Sequence, residues 1–208
     1  MKRIYALVCC LLIAGSVFAE TKPRFGIIGG LTTTSTKFST AVADIKGGNF
    51  NQFHVGICYN QPLVLGFAIQ PGLEYNVKGI NGLQFSQIEA LKDINFKTGY
   101  LELPVQVQWG LDLLGVLRPY VFAEPFIGFA LNNTANADNL SAKGWDYLKS
   151  RFEGGLGVGA GIDVFRHVQV SFRYFWNLGE VYKIDAGSLG SISSGNCQGF
   201  KVSAAILF

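Results

Sequence analysis

Along most of its length the chain alternates apolar and polar residues with a period of two, so each such segment reads as a strand with one greasy and one polar face. In residues 24–31, Phe25, Ile27, Gly29 and Leu31 oppose Arg24, Gly26, Ile28 and Gly30. Residues 52–61 set Phe53, Val55, Ile57 and Tyr59 against His54, Gly56, Cys58 and Asn60. Residues 64–77 set Leu65, Phe67, Ile69, Pro71, Leu73, Tyr75 and Val77 against a face that carries Gln70, Glu74 and Asn76. In residues 100–109, Leu101, Leu103, Val105, Val107 and Trp109 oppose Tyr100, Glu102, Pro104, Gln106 and Gln108. The habit returns in residues 120–131, 151–164, 168–177 and 199–208, which makes eight strands.

The connections alternate in length. Short ones fall at Pro62-Leu63, at residues 110–119 and at residues 165–167. Long ones, rich in Asn, Gly, Ser, Thr and Lys, cover residues 32–50, 78–99, 132–150 and 178–198, with room for a helical turn or two at 86–92. Short turns at one end and long loops at the other describe an all-β, eight-stranded, antiparallel up-and-down barrel with both termini at the short-turn end.

Alternation fits two opposite objects: a soluble barrel that hides its apolar face, or a membrane barrel that shows it to lipid. The polar face decides between them. Its ions are Arg24, Glu74, Glu102, Glu124, Arg151, Glu153, Asp163, Arg173 and Lys201, and the apolar face of the same strands carries none. Only 15% of the chain is charged, too little for a water-facing barrel wall, and the near balance of acids and bases suits a sealed interior where each ion needs a partner. Gly155, Gly157, Gly159 and Gly161 leave inward room for Tyr100, Tyr120, Phe122, Phe126 and Phe175. On the apolar face, Phe25, Tyr59, Trp109 and Phe208 gather toward the short-turn end, and Tyr75, Phe129, Phe152, Tyr174, Trp176 and Phe200 toward the long-loop end. Two aromatic belts flanking an aliphatic band match the two interfaces of a bilayer. The expectation is a transmembrane barrel with a polar lumen filled by side chains, which for eight strands is favoured over an open pore.

The start of the chain agrees with an envelope destination. Met1, Lys2 and Arg3 precede a ten-residue apolar run at 4–13, and Val17-Phe18-Ala19 offers a peptidase site before Glu20, so residues 1–19 read as a cleaved signal peptide and 20–208 as the barrel domain. Without Lys2 and Arg3 the net charge falls from +3 to about +1, which disfavours a nucleic-acid partner. Cys58 and Cys197 remain, at opposite ends of their strands and about 20 Å apart, beyond disulfide reach.

The chain resembles the PorT-like small outer membrane protein β-barrel domain family of Bacteroidetes-type bacteria. The resemblance is carried by the phrases FGIIGGL (25–31), YLELPVQ (100–106), RPYVFAEPFIG (118–128), GLGVGAGIDV (155–164) and VQVSFRYFWNLG (168–179), and by the terminal Phe208. Glu124 departs from the family, where a small residue is expected. The resemblance implies an integral outer-membrane barrel, with one branch associated with protein secretion, and a terminal aromatic read by the barrel-assembly machinery. Outer-membrane lipids and envelope or secretion proteins are the implied partners.

Chemistry is sparse. His54 and His167 are the only histidines, and no Ser, His and acid meet on the lipid-facing side, so no hydrolase site is expected, nor any metal or cofactor. The glycine spacing at 155–161 follows from strand alternation and precedes no helix, so it is no nucleotide loop. Three functional readings stay open: a structural or interaction barrel displaying four loops, a small channel or accessory of a secretion system, and a soluble lipid carrier.

Overall fold

Strands dominate because the alternation of β-branched and aromatic residues with small or polar ones fits a pleated ribbon with two different faces. The computed structural model describes residues 22–39, 44–48, 50–83, 95–113, 115–136, 150–179, 182–185 and 191–208. The strands are β1 (Arg24–Ser39), β2 (Asp44–Gly48), β3 (Phe50–Pro62), β4 (Phe67–Leu83), β5 (Asn95–Gly110), β6 (Leu117–Asn136), β7 (Phe152–Val164), β8 (Val168–Asn177), β9 (Tyr182–Asp185) and β10 (Ser191–Leu207). Apart from the short β2 and β9, each strand pairs antiparallel with the next, and β1 pairs with β10 from Gly26↔Leu207 to Phe38↔Gly195, closing an eight-stranded barrel. The last residues complete the seam, with Phe208 N–H donating to the Phe25 carbonyl at 2.7 Å.

The two faces are sorted as a membrane barrel requires. Ile127 is 63% exposed, Val170 51%, Val158 47% and Val105 37%, whereas Glu102 and Arg173 are buried. A soluble barrel would invert these values.

The strands outrun the sequence expectation at the long-loop end. β4 has 17 residues and β6 has 20, where about 9–11 suffice to cross a bilayer. Segments expected as loops therefore begin as strand: β1 runs on to Ser39, β5 starts at Asn95, and β2 pairs with both β1 and β4. Past the bilayer the outward face of a ribbon meets water, so backbone pairing continues where the apolar rhythm has stopped, while inward residues of the extensions such as Thr34, Lys78 and Thr98 stay buried. The helical turn expected at 86–92 lies outside the described residues.

At the other end the first turn is displaced from its expected place at Pro62-Leu63. Val64–Gly66 form a single 3-10 turn, with Leu65 and Gly66 at φ 59° and 80°. The second turn is pinned by Asp112, whose carboxylate accepts the Gly115 N–H at 2.7 Å. The third is a tight reversal in which His167 N–H donates to the Val164 carbonyl at 3.1 Å.

Three prolines interrupt neighbouring ladders at mid-barrel. Rungs are missing between Cys58↔Gly72 and Gln61↔Ile69, between Pro71↔Val105 and Glu74↔Glu102, and between Pro104↔Phe126 and Val107↔Ala123. Pro71, Pro104 and Pro125 have no N–H to offer the strand beside them, which is why proline is rare inside a sheet. A lipid-side groove of about 410 Å³ lies along this seam, lined by Pro71, Pro104, Pro125 and Phe126 among others.

Candidate functional site

The inward positions converge on one ion cluster. β4 contributes Glu74 and Lys78, β5 Glu102, β6 Glu124, β7 Glu153, β8 Arg173 and β10 Lys201, all buried. Lys78 Nζ lies 2.7 Å from Glu102 Oε1 and 2.8 Å from Glu153 Oε1. Lys201 Nζ lies 2.7 Å from Glu102 Oε2 and 3.1 Å from Glu74 Oε2. Arg173 rests its Nη1 on Glu124 Oε1 and places Nη2 3.7 Å from Glu74 Oε2. Amide side chains supply further donors: Asn76 to Glu102 at 2.8 Å, Gln106 to Glu124 at 2.9 Å and Asn177 to Glu153 at 2.7 Å. Charges withdrawn from water persist only when paired and hydrogen-bonded, and each strand face here supplies the pairing. His54 joins the margin, its ring nitrogens 3.0 Å from Thr32 Oγ1 and 2.9 Å from Ser203 Oγ.

Aromatic rings pack above and below the ions. Lys78 Nζ sits 4.6 Å from the Phe126 ring centroid, 4.9 Å from Phe175 and 5.5 Å from Tyr100. The rings fit because β7 opposite them lacks side chains. A Cβ added at Gly159 would fall 2.5 Å from Phe122, one at Gly161 would fall 2.5 Å from Tyr120, and one at Gly155 would collide with Phe126.

Three of the nine ions expected in one lumen network stand elsewhere. Arg151 is exposed. It precedes β7 in a bend, its carbonyl accepting the Ala130 N–H, so strand parity does not govern its side chain. Arg24 and Asp163 lie at the short-turn mouth, around a cavity of about 40 Å³ shared with Asp112, Arg118 and Arg166. There Arg166 Nη2 bridges Asp112 Oδ2 at 2.6 Å, Arg118 donates to Gln108 Oε1 at 3.1 Å and to the Gly66 carbonyl at 3.0 Å, and Arg24 donates to the Arg166 carbonyl. Conversely, Lys78 belongs to the central cluster although the sequence places it at the start of a loop. Its parity with Glu74 and Asn76 was the available signal, masked by the end of the apolar rhythm at Val77.

The outward aromatics form contacts within each group. Phe25 and Tyr59 lie 4.9 Å apart at the short-turn end; toward the other end Phe129–Phe152 are 4.9 Å and Tyr174–Phe200 5.0 Å apart, and Trp176 adjoins Tyr174 at 5.9 Å. Tyr75 contacts Phe53, and Trp109 pairs with Phe67 across the β4–β5 ladder. Cys58 and Cys197 are buried free thiols. Cys58 pairs with Gly26 on one edge of β1 and Cys197 with Thr36 on the other, so the two thiols sit at opposite ends of the wall, beyond disulfide reach.

The sequence matches the outer membrane protein beta-barrel domain family over residues 18–183. The chain belongs to that family. As a member of the outer membrane protein beta-barrel domain family it resides in the cell outer membrane, and the soluble-carrier reading falls. Two solved structures share the fold. Outer membrane protein OprG from Pseudomonas aeruginosa is 12% identical, with 91% of this chain and 97% of that chain covered and a TM-score of 0.52. Outer membrane protein AlkL, in lipid bilayers, is 15% identical, with 91% and 92% covered and a TM-score of 0.53. No curated protein matches the sequence at a significant level. Among the described residues of this outer membrane barrel, no group of three His, Cys, Asp or Glu side chains is placed to hold a metal ion.

Proposed function

We propose that the protein is a non-catalytic structural and interaction barrel whose lumen is a salt-bridged plug and whose four long connections are its working surface outside the cell. The observation that carries this reading is the central cluster: Lys78, Lys201 and Arg173 span from strand to strand across the lumen and leave ring-packed, buried side chains in the path of any solute. An eight-stranded barrel is narrow enough for side chains to fill. Function then gathers on the loops that a rigid scaffold displays. Phe25, Tyr59, Trp109 and Phe208 anchor the inner interface and Tyr75, Phe129, Phe152, Tyr174, Trp176 and Phe200 the outer one, in contact with outer-membrane lipids. Phe208, exposed at the end of the closing strand, is the residue offered to the barrel-assembly machinery.

Planar-bilayer recording of the purified protein tests the plug. Electrical silence is the expected result, and a steady conductance in the unmodified protein would refute it. The PorT-like phrases support a second reading, an accessory of an outer-membrane secretion system. Co-purification of secretion components with the native protein would favour it over a free-standing barrel.

A further inference from the structure

The barrel closes where its first and last strands meet, and no connecting segment sets the register of that pair. A turn fixes register in a hairpin; between β1 and β10 only side chains can do so. Alternation narrows the choice without completing it, because a slip by two residues leaves every side chain on its own face. Gly30 marks the place where the wall resolves this. It pairs with His54 on β3 and with Ser203 on β10. With no side chain between them, the His54 ring crosses over Gly30 and sets its Nε2 2.9 Å from Ser203 Oγ. A Cβ at Gly30 would collide with the Val202 carbonyl and fall 2.9 Å from His54 Cε1, so the crossing needs glycine.

The other ring nitrogen is tied to a chain of hydrogen bonds whose direction is fixed at its far end. Glu102, set between Lys78 and Lys201, is a carboxylate and only accepts. Asn76 therefore turns its Nδ2 to Glu102 Oε1 at 2.8 Å, which leaves its Oδ1 to accept from Thr32 Oγ1 at 2.9 Å. That uses the one hydroxyl hydrogen of Thr32, so across the 3.0 Å to His54 Nδ1 the ring donates. A neutral ring with its hydrogen on Nδ1 presents a bare Nε2, and Ser203 donates to it. Thr32, His54, Asn76 and Ser203 are all buried, so a broken bond leaves a polar group stranded.

We propose that His54 is the register latch of the closing seam: held as the Nδ1–H tautomer, it reads the Ser203 hydroxyl across Gly30 and so selects the native pairing of β1 with β10. A slip by two residues would bring Ala205, with no hydrogen to give, or Lys201, withdrawn from Glu74 and Glu102. A slip of β1 against β3 would put Ile28 or Thr32 beneath the ring, where only glycine fits.

The test uses the full barrel in lipid nanodiscs. H167N leaves His54 as the sole histidine, and nitrogen NMR of the labelled ring should show the hydrogen on Nδ1 and a bare Nε2. The reverse tautomer, or a hydrogen on both nitrogens at neutral pH, overturns the proposal. Amide exchange then reads the latch itself. S203A removes the hydroxyl, and H54N keeps a donor near the Nδ1 position but cannot reach β10. Each should speed exchange about tenfold at the β1–β10 rungs beside Gly30, while the β6–β7 rungs keep their rate. Both variants cut the same contact, so the double variant H54N/S203A should exchange no faster than the single ones. Unchanged seam rungs in the single variants, equal acceleration around the whole wall, or additive effects in the double variant would each overturn the latch.

Discussion

Removing Lys78 should damage the barrel more than removing any acid it binds. Within the central cluster, Glu74, Glu102, Glu124 and Glu153 face only Lys78, Arg173 and Lys201. K78M fills a similar volume but leaves four carboxylates against two cations, stranding Glu153 and half of Glu102 in a dry interior. Taking one partner from a buried pair costs about 3–5 kcal/mol, and the lost position over three aromatic rings adds to this. E153Q works in the opposite direction. It equalises the charges; its one amide oxygen keeps the contact with Lys78, and its amide nitrogen, in place of the oxygen that accepted from Asn177, donates to the Asn177 Oδ1 once that amide turns over, so a change below about 1 kcal/mol is expected. The double variant K78M/E153Q should then recover part of the K78M loss, giving the order E153Q near the unmodified protein, the double variant next, and K78M lowest. Urea unfolding in lipid vesicles, read by tryptophan fluorescence and by the folded band on unboiled gels, measures this, with an unchanged denaturant slope as the check that the same surface unfolds. K78M within about 1 kcal/mol of the unmodified protein, or E153Q more harmful than K78M, would refute the reasoning.

Other variants probe the wall. P71V and P125V each restore an N–H toward the neighbouring strand and should stabilise the barrel by about 1 kcal/mol each, read as a higher urea midpoint, with slower amide exchange at the seam; lowered midpoints would show that the prolines are not the cause of the missing rungs. G159A places a Cβ against Phe122 and the Phe172 carbonyl and should cost about 1–3 kcal/mol, whereas G154A, with its nearest neighbour 3.8 Å away, should fold with little change in the same titration. V158R puts a guanidinium on the lipid face near mid-strand and should cost about 2–4 kcal/mol in vesicles; a neutral result there would contradict the orientation of the ribbon.

The architecture was legible because its cue is local and repetitive. Eight alternating runs, with ions confined to one face, identify a closed barrel turned outward to lipid before any contact is known. Legibility stopped where the bilayer stops. Beyond it the outward face has no reason to be apolar, so the long extensions of β4 and β6, and Lys78 with them, look like loop in the sequence. Proline was equally ambiguous: Pro71 and Pro125 keep the outward parity of an ordinary strand, and the gap each leaves becomes visible only when the partner strand is known.

Facing, strand number and the stock of inward ions were therefore written into the chain, since a period of two assigns every side chain to a face without reference to its neighbours. Which ion meets which was not, because strands meet at a stagger that closure of the cylinder imposes. That stagger brings Lys78 between Glu102 and Glu153, sends Arg24 and Asp163 to the mouth, and leaves Arg151 outside the strand altogether. Parity is a one-dimensional property; pairing across a lumen depends on height and angle around the axis, and only the closed wall fixes those.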